Sequence, residues 1–253
     1  ICGTSEQKLV MTEFAKVALD YLKNLFAFDQ AHPLLFTQSY FWAFLAIVLG
    51  VLCLFRNRIL LRNAFLFMMS LFFYYKTSGL FLILLLTVIL SGYLTGLLLP
   101  RLRSKGWKSF FLFLGIAISL SLLFYYKYAY FVTDVVNNLF GTHFAVRDWI
   151  ASAGNSIAGS QVFSVDSIFL PVGISFFIFQ AISYLVDVHR GRIEPVRNLV
   201  DFGFYISFFP QLVAGPIVRA TDFIPQIHKP FFLTRRQMGI AVFWILNGLA
   251  KKL

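Results

Sequence analysis

The stretch Asp201–Arg219, DFGFYISFFPQLVAGPIVR, decides the fold of this chain. Between its charged ends it carries no charge, and it is just long enough to cross a bilayer as one helix. Pro210, Gln211, Gly215 and Pro216 nevertheless stand in its middle and at its end, where proline removes a backbone donor and glycine loosens a helix. Because unsatisfied backbone groups are costly in hydrocarbon, we predict a broken or re-entrant segment that lines a cavity. The alternative is a kinked helix that faces lipid.

The composition is that of a membrane protein. Of the 253 residues, 59% are hydrophobic and only 13% are charged, and the mean hydropathy is +0.77. A soluble surface needs more charge, so we predict an all-α polytopic membrane protein built as one helical bundle. The net charge of +11 does not indicate nucleic-acid binding, because Lys and Arg gather in short loops between apolar runs. The cysteines show neither a disulfide framework nor metal-ligand spacing.

The N-terminal region is predicted to lie outside the bundle. Residues 12–28 carry apolar side chains at i, i+3, i+4 and i+7 and charged ones on the other face, which indicates an amphipathic helix in the membrane interface. We therefore divide the chain into an N-terminal extension with this interfacial helix, residues 1–30, and a transmembrane core, residues 31–253. Met11 would be a plausible start, and the apolar run that stops at Leu253 suggests truncation.

The core contains several apolar runs that we interpret as membrane spans. They are residues 36–55, 64–75, 80–99, 110–126 and 168–186, and a further span opens at residues 238–253. In the third run, Gly92 and Gly96 form a small-xxx-small face that allows another helix to approach closely. Residues 130–140 are predicted to form a separate surface helix, and residues 151–160 a flexible loop on the outer side.

Basic loops predict the orientation of the spans. Cations cluster in residues 56–62, 101–108 and 190–197, which places these loops in the cytoplasm. If residues 202–218 crossed the membrane fully, the basic loop that extends from Arg219 to Arg236 would lie outside, against the same rule. A re-entrant segment, or one that is steeply tilted and broken, removes this conflict, and the charge pattern therefore supports such a segment independently of the prolines.

No histidine lies in a complete catalytic set. His143 and Asp148 match an H-x4-D spacing, in which a carboxylate orients an imidazole base, but two residues at one spacing arise easily by chance. His32 and His228 each stand close to a proline, in segments that we interpret as ordinary connections.

A second group of polar residues lies at the predicted cytoplasmic mouth. His189, Arg190 and Arg192 follow Asp187, and such a set could hold a phosphate or pantetheine group. The alternative is an ordinary basic loop of the positive-inside type. Arg219 is either a functional cation at the end of the broken segment or a snorkelling anchor.

Two runs of sequence carry a resemblance to a known family. They are Leu170–Gln180, LPVGISFFIFQ, and Ser207–Arg219, SFFPQLVAGPIVR, with Asp187–Gly191, DVHRG, between them. These runs resemble the membrane-bound O-acyltransferase (MBOAT) family, and in particular its bacterial alginate O-acetyltransferase-like branch. His189 stands where a tyrosine is usual in that family.

The resemblance implies a membrane-embedded O-acyltransferase in the bacterial cytoplasmic (inner) membrane. Such proteins take an acyl group from a cytoplasmic donor, either acetyl-CoA or an acyl carrier, and pass it through a tunnel to a hydroxyl of an exported polysaccharide. Periplasmic or membrane-anchored acetyltransferase partner proteins are therefore expected, together with the lipid bilayer. No bound cofactor, metal or nucleic acid is implied.

The resemblance also implies where the site lies. The residues that match the family motif are substrate-tunnel candidates: Pro210, Gln211, Gly215, Pro216 and Arg219. The essential histidine of the family is expected in a later span, beyond Leu253, so no catalytic residue is assigned and the chain is expected to be an N-terminal part that is inactive alone. The alternative is a non-enzymatic membrane component that conducts or presents acyl groups to a separate transferase.

Overall fold

The computed structural model describes residues 39–55, 58–144, 146, 152, 156, 170–230 and 234–252. All regular elements in these ranges are helical, which confirms the predicted all-α class. The expected interfacial helix at 12–28 and nearly all of the expected loop at 151–160 lie outside the described residues. The same holds for Asp148 and His32, so the H-x4-D pair stays a prediction.

Nine helices follow one another in the described part of the chain. They are α1 Ser39–Leu54, α2 Ile59–Ser78, α3 Leu82–Leu98, α4 Lys105–Phe140, α5 Ile174–His189, α6 Leu199–Ser207, α7 Phe209–Ala214, α8 Ala220–Ile227 and α9 Arg235–Lys252. Short 3-10 turns, Gly79–Phe81 and Leu99–Arg101, flank α3. Within the described ranges, two helical stretches are long and apolar enough to cross a membrane, Leu82–Arg101 and Lys105–Phe140.

Helix α4 corrects one prediction. We expected a span that ends near residue 126 and a separate surface helix at 130–140, but α4 is one helix of 36 residues. Its sequence contains no glycine or proline between Tyr126 and Phe140, so nothing interrupts it. The helix ends where Gly141 adopts φ +63° and the side chain of Asn137 accepts from the backbone N–H of Phe144 at 2.9 Å.

The observed helix boundaries differ from the predicted spans in two more places. The second predicted span, 64–75, is lengthened at both ends into α2, where Oγ1 of Thr77 donates to the carbonyl of Phe73 at 2.8 Å. The fifth predicted span, 168–186, begins later than expected, because Gly173 has φ +73° and α5 starts only after it.

The core forms around α5, which packs on α3, α4 and α6. The predicted small-residue face of α3 is confirmed: a Cβ on Gly96 would lie 2.7 Å from the ring of Tyr184 on α5, and one on Gly92 would lie 3.2 Å from the ring of Phe202 on α6. These two rings, with centroids 4.7 Å apart, fill the space that the glycines leave.

Helix α6 is buried on all sides between α2, α3, α5 and α8. Its residues from Asp201 to Ser207 are all buried, and a Cβ on Gly203 would meet the ring of Phe67 at 2.5 Å. The first half of the decisive stretch is therefore core, and the alternative of a helix facing lipid is wrong for it. By contrast, the described side chains of α9 are almost all exposed.

Candidate functional site

The predicted break in the decisive stretch lies at Phe208. Helix α6 ends at Ser207, Phe208 has φ −50° and ψ 107°, and α7 begins at Phe209. Pro210 lies in the first turn of α7, where a missing N–H costs no helical hydrogen bond. The N–H of Phe209 donates to Oγ of Ser70 at 3.3 Å, so a side chain of α2 satisfies this helix end.

Two glutamine side chains join both halves of the broken segment to α5. Nε2 of Gln180 donates to the carbonyl O of Tyr205 at 2.7 Å, and its Oε1 accepts from Nε2 of Gln211 at 3.2 Å. Tyr205 lies in the last turn of α6, where carbonyls lack a partner inside the helix. Because Gln180 is only 3% exposed, its amide replaces the water that would otherwise satisfy this carbonyl. The break is thus anchored to the centre of the core.

The chain turns back at Gly215. The N–H of Gly215 donates to the carbonyl of Gln211 at 2.9 Å, and residues 215–219 have no regular structure. A Cβ on Gly215 would lie 2.6 Å from Cα of Gln211, so only glycine fits without a backbone shift. Oη of Tyr205 donates to the carbonyl of Val218 at 3.0 Å and ties the returning chain to α6.

The segment before α5 packs against the same turn. A Cβ on Gly173 would lie 2.5 Å from the carbonyl O of Leu212 in α7. The N–H of Val172 donates to Oγ of Ser78, at the end of α2, at 3.3 Å. The two sequence runs that resemble the family are therefore neighbours in space, although a third run and a loop separate them in the chain.

The start of the broken segment and the end of α8, the helix that follows it, meet near the start of α2. Oδ1 of Asp201 accepts from Nδ2 of Asn63 at 2.9 Å, and Oδ2 of Asp201 lies 3.4 Å from Nε2 of His228. Arg62 donates to the carbonyl of the last residue of α8 and, at 3.1 Å, to that of Lys229. The chain therefore enters α6 and leaves α8 at one end of the bundle, which is the geometry that a re-entrant segment requires.

The five tunnel candidates do not share one environment. Gln211 and Gly215 lie partly buried at the turn, whereas Pro210, Pro216 and Arg219 are exposed. The structure thus brings Gln211 onto the core and leaves the other three on the outer side of the turn. The predicted cavity beside these residues stays a prediction.

A cavity of about 300 Å³ lies at the predicted cytoplasmic mouth. His189 lines it, together with Lys108 at the start of α4 and Glu194 in the loop after α5. Nδ1 of His189 is buried and has no hydrogen-bond partner in the part of the chain that the structure describes. The cavity is therefore lined by one cation, one carboxylate and one imidazole.

The two arginines of the mouth behave differently from His189. Nη1 of Arg192 lies 3.3 Å from Oδ1 of Asp187, so this arginine is paired with a buried carboxylate. Arg190 is exposed and does not line the cavity. Of the three mouth candidates, only His189 is thus placed to contact a ligand in the cavity.

Sequence reasoning missed several residues of the site. Gln180 and Asn63 were not singled out, and His228 lies in a connection as predicted, but its contact with buried Asp201 was missed. A signal was present, because Asn63 and Gln180 each stand in an apolar helix, where an unpaired polar side chain is costly. What could not be read from the sequence is the partner that each of them finds.

Comparison with curated proteins finds alginate O-acetylases. The chain is 35% identical over 219 residues to a protein of Pseudomonas putida named probable alginate O-acetylase AlgI, which covers 85% of this chain and 41% of that protein. A protein of the same name from Pseudomonas aeruginosa is 33% identical, over 85% of this chain and 38% of its own length. The chain belongs to the membrane-bound O-acyltransferase family.

Another relative is named for a different acceptor, peptidoglycan. A Helicobacter pylori protein named peptidoglycan O-acetyltransferase is 28% identical to this MBOAT chain, over 91% of the chain and 46% of the relative. The chain spans about two fifths of the length of the alginate O-acetylases that it matches. No family model matches it, and no solved structure does. The resemblance carried by its two sequence runs is confirmed.

Proposed function

We propose that this chain works as part of a membrane-embedded O-acyltransferase. The enzyme takes an acyl group, expected to be acetyl, from a cytoplasmic donor and transfers it to hydroxyls of an exported or cell-surface polysaccharide. The observation that carries this proposal is the turn of the broken segment around Gln180 and Gln211, in a chain whose relatives are named O-acetylases of alginate and peptidoglycan.

The broken segment has the properties of a re-entrant element. Helices α6 and α7 have nine and six residues. At 1.5 Å per residue they are about 14 and 9 Å long, so neither crosses about 30 Å of hydrocarbon. Backbone groups freed at the break, the Phe209 N–H and the Tyr205 carbonyl, have protein partners, which is the condition for irregular backbone at membrane depth. A substrate path can run beside such a turn.

The cavity at His189 suits the donor side of the reaction. It lies in loops that the charge pattern assigns to the cytoplasm, and Lys108 supplies a cation for a phosphate of acetyl-CoA or of an acyl carrier. The donor would dock there with its acyl end toward the turn. The acceptor would then be reached from the opposite side of a multi-pass protein in the bacterial inner membrane, with the help of periplasmic or membrane-anchored acetyltransferase partners.

The test is acyl transfer by the complete gene product in cells. We would express it in a bacterium that exports a polysaccharide but lacks its own O-acetylation, and measure base-labile acetate on the polymer. Acetate is expected with the intact protein and is expected to fall sharply with Gln211→Leu, but not with Gln226→Leu in an exposed turn of α8. The acetyltransferase partners are co-expressed in every strain, and acetate that survives replacement of every histidine in the later spans of the complete gene product would overturn the proposal in favour of a non-enzymatic component that presents acyl groups.

A further inference from the structure

Four polar side chains lie close together away from the turn, at the end of the bundle where α6 begins and α8 ends. We call Arg62, Asn63, Asp201 and His228 the polar clamp. Arg62 is 5% exposed, Asn63 is 1% exposed and Asp201 is 4% exposed, while His228 is about half exposed. Buried charges in a protein need partners, so their arrangement has a physical reason.

Asn63 connects a buried cation to a buried anion. Its Oδ1 accepts from Nε and Nη2 of Arg62, both at 3.4 Å, and its Nδ2 donates to Oδ1 of Asp201 at 2.9 Å. The amide oxygen therefore faces the guanidinium cation, and the amide nitrogen faces the carboxylate. The other carboxylate oxygen of Asp201 accepts from Nδ2 of Asn198 at 3.2 Å and faces His228. The network leaves few polar atoms of these side chains unpaired.

The charges of the clamp stabilise the start of α6 and the end of α8 rather than the start of α2. Arg62 lies in the first turn of α2, where the helix dipole disfavours a cation, but its guanidinium reaches two carbonyls at the end of α8, where the dipole favours one. Asp201 lies in the first turn of α6, where an anion is favourable. The clamp thus joins the N-terminus of the entering helix to the C-terminus of the returning one.

Helix α8 depends on such support. It has eight residues with Pro225 inside, which is too short to be stable alone in water. Its start is fixed through Ala220, which is 0% exposed, and its middle through Phe223, whose ring lies 5.5 Å from that of Tyr205. Its end is fixed by Arg62 and His228. If the end were released, the helix and the extended residues before it would move together.

We propose that the polar clamp is a positioning device for acyl transfer. It holds the start of α6 and the end of α8 together, and so keeps the turn that carries Gln211 packed against Gln180. This inference rests on the proposed function, but its structural part can be tested separately. The four residues of the clamp touch no substrate in this account and are positioning residues.

The experiment uses the complete gene product in membranes, with Cys2 and Cys53 replaced by serine. A thiol probe at Ala220→Cys reports whether α8 lifts from the core, because this position is fully buried. Arg62→Met removes the charge at similar length, Arg62→Lys restores a cation, and Arg58→Met is the matched control, since Arg58 is exposed one turn earlier.

With Arg62→Met we expect several-fold faster labelling of the cysteine and about a tenfold or larger loss of kcat, because small displacements of positioned groups slow catalysis strongly. The donor KM should change little, since the donor cavity lies elsewhere. Arg62→Lys should recover part of both, and Arg58→Met should change neither. Asn63→Leu serves as a second clamp variant if Arg62→Met does not elute as a folded, monodisperse protein.

Unchanged labelling in both clamp variants would contradict the claim that the clamp holds α8 on the core, whatever the effect on activity. Faster labelling with unchanged kcat would overturn its role in positioning. If the unaltered protein transfers no acyl group, the proposed function fails instead, and the labelling rates still decide whether the clamp holds α8.

Discussion

Nε2 of His228 lies 3.4 Å from Oδ2 of Asp201, although Asp201 lies at the start of the broken segment and His228 follows α8, the helix after that segment. The chain between them breaks at Phe208, turns at Gly215 and returns, so that both ends reach the same end of the bundle. This explains how the basic residues after Arg219 can share one side of a membrane with the basic loop that follows α5.

The first prediction concerns this topology. In a protein without Cys2 and Cys53, cysteines at Glu194 and Gln226 should both react with an impermeant thiol reagent only from the cytoplasmic side, because they flank a segment that returns. A cysteine at Phe144, after α4, should react only from the opposite side. Labelling of positions 194 and 226 from opposite sides would show that the segment crosses the membrane.

The second prediction concerns the glutamine pair. Gln180→Leu should lower the free energy of unfolding by about 1–3 kcal/mol, because the buried carbonyl of Tyr205 loses its donor. Gln226→Leu, which removes a hydrogen bond at an exposed site, should stay within about 0.5 kcal/mol. Unfolding in SDS, followed by tryptophan fluorescence, measures both variants. Equal effects would mean that Gln180 does not anchor the break.

The third prediction compares two glycines with the same backbone strain. Gly173 and Gly191 have φ of +73° and +69°, so alanine at either costs about 1–2 kcal/mol. Only at Gly173 does the new Cβ also meet a backbone atom, the carbonyl O of Leu212 at 2.5 Å, whereas Gly191 faces open space. Gly173→Ala should therefore cost about 1–3 kcal/mol more than Gly191→Ala in the same unfolding assay. Equal losses would place α7 away from Gly173.

The fourth prediction concerns two serines beside the break. Oγ of Ser207 is buried without a hydrogen-bond partner among the described residues, whereas Oγ of Ser70 accepts from the N–H of Phe209. Ser207→Ala should leave stability unchanged or raise it slightly, and Ser70→Ala should lower it by about 1–3 kcal/mol, because a buried donor loses its acceptor. A destabilised Ser207→Ala would show that its hydroxyl is satisfied in the protein.

The fifth prediction tests the cavity at the cytoplasmic mouth. Lys108→Gln should raise the KM for the acyl donor while kcat changes little, because in the proposed function the lysine contacts a phosphate of the donor and not its acyl group. Lys127→Gln is the matched control, because Lys127 is an exposed lysine further along α4 that does not line the cavity. A KM that responds equally to both changes would exclude a specific donor contact at Lys108.

Some parts of the fold follow from local sequence. Gly92 and Gly96 predict a close helix contact, and the structure places Phe202 and Tyr184 against them. The prolines and glycines predict the break in the decisive stretch, because proline cannot donate a helical hydrogen bond and glycine weakens a helix. The length of α4 was misjudged for a related reason, since aromatic and polar residues after Tyr126 mark an interface but do not end a helix.

The sequence by itself determined the helical class, the presence of a break in the decisive stretch, and the family, because these depend on residue types and on their order. Only the tertiary structure decided that Gln211 meets Gln180, that Asn63 joins Arg62 to Asp201, and that Arg192 is occupied by Asp187 while His189 faces a cavity. The physical reason is that a buried polar group must find a partner, but the partner comes from whichever helix the packing of the core brings alongside.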